Sequence, residues 1–316
     1  MKLDSLFDTL MIDTVTLWLE TRDALGVKFL CDAREQVSLE TGEVRVFGNY
    51  KNLRVHCNSS GISLTGSLSK YELGNNLERL TRGKVQMAIE RLCDETSINW
   101  KRAKVYRLDV GTCLVLKQPC SNYLRGLGEL PRYQRCEQGE NGLLYTTSTK
   151  VLSFYDKIKE VRRKQERLPS VFEGLNVLRY ELQCRQRLQD VFKVPEIFAE
   201  TLYNETFYMQ ALSLWKDAYF AIKKQGKLKF NPEMLKTLNV KKLESSLAAI
   251  ALKELGEREV LAMIQAARKD GLLTKIQAAR LRAKVRELAT LPAIIEPSEV
   301  MLELDAKVKQ AVQFYR

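Results

Sequence analysis

The stretch Leu152-Ser153-Phe154-Tyr155-Asp156-Lys157-Ile158-Lys159-Glu160 decides how this chain is read. Leu152 and Phe154 alternate with Ser153 and Tyr155, the period of two that marks a half-buried strand. From Lys157 onward charged residues take over and the pattern becomes helical. Tyr155 therefore stands at a strand end, with Lys157 two residues on and on the same face, and Glu160 five residues on. Working outward, two short runs repeat one motif inside strand-like segments. In Arg107-Leu108-Asp109 the charges face away from Leu108 and Val110. In Arg179-Tyr180-Glu181 they face away from Leu178 and Leu182.

Further out, Met11 to Leu19 alternates with Val15, Leu17 and Leu19 on one face and Thr14, Thr16 and Trp18 on the other. Strand patterns recur at 44–50, 52–57, 61–68, 104–116, 143–155 and 175–184, with turn signals such as Gly48-Asn49 and Ser59-Ser60-Gly61 between them. A helix is expected from about Leu77 to Thr96, a polar loop over 121–142, and a charged helix from Lys157 to about Arg167, ended by Leu168-Pro169. Strands with a few interposed helices predict an α+β domain on an antiparallel sheet with flanking helices. After Val194-Pro195 helical periodicity dominates, near 196–203, 205–224, 240–253, 257–269 and 274–289. Residues 206–290 carry roughly twice as many basic as acidic side chains. Short helices closed by Gly226, Gly256 and Gly271 fit a helical or winged-helix DNA-binding module, or a solvated basic bundle. The organisation expected is a 1–10 extension, an α+β domain over 11–195 and a mainly helical, basic domain over 196–316 that binds DNA or a partner.

Bulk properties narrow the classes. The 316 residues carry a formal charge of +12 and a pI near 9.3, which points to a polyanion. No apolar run approaches the roughly 20 residues of a membrane span, and no secretory pattern opens the chain. A cytoplasmic location in a bacterial host, with no membrane partner, is the expectation. Seven cysteines lie at irregular spacing without a Cys-x-x-Cys, so reduced thiols are expected rather than a zinc ribbon or redox pair. A single histidine, His56, excludes a two-histidine metal site in this subunit and makes a Ser-His-Asp arrangement depend on it alone. A divalent ion would be held by carboxylates, which suits Mg²⁺ or Mn²⁺. His56 itself reads as a strand-end or surface residue.

The chemistry lies with Tyr155. A phenol of pKa about 10 is protonated at neutral pH, and a neighbouring ammonium or metal favours its ionised form. Lys157 is placed for that, and Glu160 to orient Lys157 or reach a metal. Charged pairs inside strands are costly unless they meet solvent, a partner or an ion. Arg107 with Asp109 and Arg179 with Glu181 therefore read either as cross-strand ionic ladders or as metal-holding carboxylates with arginines near substrate phosphates. Tyrosine, lysine, carboxylates and a basic chain together suggest an enzyme that cuts DNA and keeps one end covalently.

These elements resemble the filamentous-phage gene II replication initiator family and, more distantly, the plasmid rolling-circle initiators. The similarity is carried by Met11-Ile12-Asp13, Arg107-Leu108-Asp109, Tyr155-Asp156-Lys157-Ile158-Lys159-Glu160 and Leu178-Arg179-Tyr180-Glu181. To these is added the segment Ser67 to Asn76, similar to a Ser-x-x-Lys-x-x-x-Gly-x-Asn turn that places Lys70 before a helix. The elements come in the family's order over roughly residues 11–185; Asn75-Asn76 stands where the phage proteins tend to carry His-Asn. The resemblance implies a rolling-circle initiator that nicks one strand of origin DNA, single-stranded or supercoiled, and later rejoins it. Tyr155 would be the nucleophile that forms a 5′-phosphotyrosine, with Lys157 beside it and Asp109 and Glu181 as metal ligands. Host helicase and polymerase would supply unwinding and synthesis, since no phosphate-binding Gly-x-x-x-x-Gly-Lys-Ser/Thr loop occurs. The competing class is a non-catalytic origin-binding protein working through its basic helices. Tyrosine-recombinase chemistry at Phe314-Tyr315-Arg316 is disfavoured because no histidine follows residue 56.

Overall fold

The alternation along Lys104–Leu116 is that of a strand with two different environments. Leu108, Val110, Leu114 and Leu116 enter the main apolar core, while Arg107, Asp109, Gly111 and Cys113 face the other way. This strand belongs to the structure of the chain, a computed structural model that describes residues 11–21, 27–78, 80–224, 226–228, 239–291 and 295–313. The expected 1–10 extension and the Phe314-Tyr315-Arg316 terminus lie outside the described residues. The described residues fall into two compact units, one within 1–224 and 299–316, the other within 225–298.

The first unit carries one 10-stranded sheet. Its strands are β1 (Met11–Glu20), β2 (Cys31–Val37), β3 (Val44–Tyr50), β4 (Leu53–Asn58), β5 (Gly61–Ser67), β6 (Lys104–Leu116), β7 (Gln134–Glu137), β8 (Gly142–Thr146), β9 (Lys150–Asp156) and β10 (Asn176–Cys184). The order across the sheet is β2-β3-β4-β5-β1-β6-β10-β9-β8-β7, and neighbouring strands run antiparallel. One face is apolar. Helices α1 (Leu68–Leu73), α2 (Arg82–Thr96) and α3 (Cys120–Gly126) contribute buried residues to its core. Under Glu205–Phe220 the rings of Phe154 and Tyr180 stack at 4.3 Å, Tyr180 packs on Trp215, and the Tyr180 hydroxyl donates to the Trp215 carbonyl at 2.9 Å.

A bulge decides what the opposite face carries. Ile12 pairs with Val110 and Val15 with Leu108, so Asp13 and Thr14 together oppose Asp109. The extra residue reverses the alternation, and Asp13 leaves the face of Val15 and Leu17 to join Asp109 on the polar side. Plain alternation along β1 puts it with the core.

The α+β antiparallel expectation is met, with differences of local origin. The 143–155 segment is two strands, because the Thr147 hydroxyl accepts from the Thr149 and Lys150 amides and turns the chain without Gly or Pro. The helix expected from Leu77 begins at Arg82, since the Asn75 side chain accepts from the Leu77 and Glu78 amides and makes a turn there, and Thr81 is the N-cap. The loop at 121–142 contains α3 and β7. Strand β2, which the sequence pattern does not announce, is exposed throughout and polar, an edge strand with no face to bury. Helix α4 (Lys157–Arg163) is shorter than expected, and a short α5 (Leu188–Phe192) follows β10. Helix α6 (Glu205–Phe220) packs on the sheet through Phe207, Tyr208, Leu212, Trp215 and Tyr219, so the unit boundary falls at 224/225 rather than at 195/196.

In the second unit, β11 (Gly226–Leu228) pairs with β12 (Ile295–Pro297). Helices α7 (Val240–Leu255), α8 (Glu257–Lys269) and α9 (Lys275–Ala289) share a small core of Leu252, Ile264, Ala278 and Val285. Gly226 lies in a strand instead of closing a helix, whereas Gly256 and Gly271 do close helices, with φ of 90° and 75°. The chain then returns to the first unit in α10 (Glu299–Gln313), whose Asp305 accepts from the Tyr219 hydroxyl at 2.6 Å. No described helix is long and apolar enough to cross a membrane.

Candidate active site

Strand register places the predicted residues together. Arg179 is opposite Tyr155 on β9 and Cys113 on β6; Glu181 is opposite Ser153 and Gly111; Gln183 is opposite Asp109. Gly111 is required here. A Cβ at that position would lie 2.7 Å from the Tyr180 carbonyl and 2.8 Å from Glu181 Cγ, so the glycine is the space through which Glu181 crosses the sheet.

The polar side chains form a connected series. The Tyr155 hydroxyl donates to Glu181 Oε1 at 3.0 Å. The same oxygen accepts from Arg179 Nε at 2.9 Å, and Gln183 donates to Oε2 at 3.2 Å. Arg179 then donates through a terminal nitrogen to Asp13 Oδ2 at 2.7 Å. Asp13 also accepts from Ser67 and from Asn76, and the Asn76 carbonyl accepts from Arg179 at 3.3 Å. Ser67 reaches the site from the end of β5, and Asn76 reaches it from the turn after α1. Arg107 holds Asp109 with two hydrogen bonds, 2.9 and 2.7 Å. Lys157 is 1% exposed, lies 5.9 Å from the Tyr155 ring centre and donates to Glu160 at 2.7 Å; Lys164 also engages Glu160.

Environment sets the charges. Burial pushes the Tyr155 phenol well above its usual range, the Glu181 carboxylate pushes it further, and Arg179 only partly offsets this. The ionised phenol expected from Lys157 is therefore not the resting form, and Lys157 is paired with Glu160. Burial opposes ionisation of Glu181, but the Arg179 charge and the bonds from Arg179, Gln183 and Tyr155 outweigh it and hold the carboxyl below its ordinary value. Glu160 is likewise lowered: Lys157 and Lys164 overcome its burial. Asp109 goes the other way, up to about 6, since burial and the nearby charges of Glu181 and Asp13 exceed the opposing effect of Arg107.

Tyr155, Glu181 and Gln183 line a cavity of about 440 Å³, together with Lys159 and Arg163 of α4. Four participants were given no role by sequence reading: Asp13, Gln183, Lys159 and Arg163. Lys159 and Arg163 are four apart on a short helix, a spacing that puts two cations on one face and was legible. One expected DNA contact is placed otherwise. Arg179 has no exposed surface, because it is the counter-ion of Asp13 and Glu181 rather than a phosphate ligand. Lys70 is paired with Glu166 at 2.6 Å. Arg107 stays partly exposed, at 31% of its side chain.

The carboxylate oxygens are of the hard class that Mg²⁺ and Mn²⁺ take. Their arrangement does not match a metal centre. Arg107 occupies both oxygens of Asp109, Arg179 and Gln183 occupy those of Glu181, and among the described residues no three acidic, histidine or cysteine side chains converge as a metal-binding group. An ion on Asp109 and Glu181 would share these carboxylates with the donors that hold them.

Residues 11–204 match the family described as the N-terminal part of the phage gene II replication-associated protein. The chain belongs to that family. The matched segment takes in β1 through the 3₁₀ turn at Ala199–Tyr203 and so contains every residue of the Tyr155 site. No curated protein shows significant similarity to the chain. The phage replication family anticipated from the sequence is thus the one found.

Proposed function

We propose that this replication-associated protein is a DNA-nicking and rejoining enzyme with Tyr155 as its nucleophile. The observation that carries the reading is the Tyr155 hydroxyl bonded to Glu181 at the wall of a solvent-open cavity that also presents Lys159 and Arg163. Two cations beside a phenol suit a DNA phosphate brought to the hydroxyl.

In the proposed step Tyr155 Oη attacks the scissile phosphorus and the bond from phosphorus to the 3′ oxygen breaks. A 5′-phosphotyrosine and a 3′-OH result. The phenol's proton passes to Glu181, and the leaving oxygen takes a proton from water. Transfer to Glu181 before attack is unfavourable. Burial and the Glu181 charge hold the proton on the phenol, while the Arg179 charge keeps the Glu181 carboxyl ionised, so both groups oppose it. The proton therefore moves as the new bond to phosphorus forms, when the phenol oxygen loses its basicity. Arg179 fixes the oxygen that receives the proton, and Asp13 fixes Arg179. The phosphodiester on Tyr155 conserves the bond energy, so a 3′-OH can reverse the step and close the strand. Unwinding and synthesis would come from host helicase and polymerase. Mg²⁺ or Mn²⁺ would be held by Asp109 and Glu181 beside their arginines, and no step above depends on it.

The test is incubation with single-stranded and supercoiled origin DNA, with Mn²⁺ or with EDTA, followed by a denaturing gel. A protein–DNA adduct in the native chain and none in Tyr155→Phe, with binding retained, is the expected result. An adduct that persists in Tyr155→Phe removes the tyrosine from this role. Tight binding without any adduct leaves an origin-binding protein and no enzyme.

A further inference from the structure

The polar face of the sheet does not end at Asp109. Arg107 pairs in register with Thr16, Thr16 with Thr65, Thr65 with Arg54 and Arg54 with Asn49, and the Thr16 and Thr65 hydroxyls bond at 3.0 Å. Alongside it, Trp18, Ser63, His56, Phe47 and Arg34 form a second row, with His56 inside β4 and not at its end. These rows floor a shallow groove of about 590 Å³. Inside it the Phe47 and His56 rings stack at 4.6 Å with planes 10° apart, and Phe47 keeps 38% of its surface exposed. His56 Nε2 has no hydrogen-bond partner among the described residues. Arg34 and Arg54 are exposed and have no ion pair among the described residues. Arg45, by contrast, is tied to Glu43 at 2.8 Å, and one acidic side chain, Asp32, lies at the groove edge.

We propose that this groove is a binding site for single-stranded DNA, which runs from it along the sheet to Tyr155. An exposed ring on a sheet, continuing an existing stack and flanked by two guanidiniums with no ion pair among the described residues, offers a base a π-face and its phosphates two charges. Duplex DNA hides its base faces and gains nothing from Phe47. Five strand spacings separate β4 from β9, about 24 Å. The groove would thus hold the strand several nucleotides from the phosphate that is cut, with Arg107 between. The proposal rests on the nicking reading for the destination of that strand, not for the binding itself.

The test is fluorescence anisotropy of the full chain with a labelled oligothymidylate and with the same length of duplex, in parallel with the adduct assay. Phe47→Ala is expected to weaken single-strand binding on the order of tenfold, with little effect on duplex, and Phe47→Trp to restore it. Arg34→Gln with Arg54→Gln is expected to lower the slope of log affinity against log salt by about 1.4. Urea midpoints unchanged from the native chain establish that the variants fold. Native single-strand affinity and salt slope in all of them overturn the groove, and so does an equal loss on single strand and duplex. If the native chain forms the adduct while these variants bind as well as it does, the groove is wrong and nicking stands. If the variants lose binding and no adduct ever forms, the groove stands and nicking is wrong.

Discussion

Two regions of one sheet face treat charge in opposite ways. Around β6, β10 and β9, arginines 107 and 179 are each matched to carboxylates at hydrogen-bond distance, and Arg179 is fully buried. At the other end of the face, Arg34 on β2 and Arg54 on β4 are exposed, with no carboxylate holding them among the described residues. Buried charges survive only when paired, while exposed ones are solvated and can wait for a partner. The first region is a site built in advance, and the second is a surface left open to a polyanion.

The largest expected effect separates the two directly. Arg179→Met leaves Asp13 and Glu181 facing each other without their counter-ion and is expected to cost about 3–5 kcal/mol in urea unfolding. Arg54→Met is expected to stay within about 0.5 kcal/mol. Equal losses would break the comparison.

Asp109 supplies the next test. Its native pKa of about 6 lies above its unfolded value, so the native state binds more protons between the two. The sign follows: this group's contribution to stability falls as pH rises from about 4 to about 6. Asp109→Asn removes that slope, and relative to the native chain it should gain up to about 3 kcal/mol between about pH 4 and about pH 7. Urea midpoints across that range measure it, and the constant loss of the Arg107 pair cancels in the difference. A flat difference would show that Arg107 fully compensates the burial.

Gly111→Ala tests the packing of the closed region. Its methyl would meet backbone at 2.7 Å, so about 1–3 kcal/mol of destabilisation is expected together with reduced adduct yield, as Glu181 is pushed from Tyr155. Normal adduct formation in that variant would show that Glu181 need not sit where it does. The smallest effect belongs to the open region: Arg34→Gln with Arg54→Gln should leave the urea midpoint unchanged and appear only in the salt dependence of DNA binding.

Much of this site was legible before the fold. Tyr155, Lys157, Glu160, Arg107, Asp109, Arg179 and Glu181 were all visible as charged or phenolic residues breaking an alternating pattern, and the structure sets them on or beside one face of the sheet. The role of Asp13 was hidden because a single extra residue in β1 reverses the alternation from Asp13 onward. The partners were hidden as well. Arg179 reads as a DNA ligand until Asp13 closes on it from 166 positions away.

Alternation and spacing were therefore enough to establish an antiparallel α+β sheet, a basic chain and a tyrosine at a strand end, because these depend on neighbours in the chain and on the alternation of strand side chains. Strand order, the bulge, the assignment of α6 and α10 to the sheet-bearing unit and the pairing of each carboxylate required the tertiary structure. So did the state of Tyr155. Its protonation depends on burial and on Glu181, 26 residues away, and no local pattern records which charges the fold will bring within a few ångströms of a phenol.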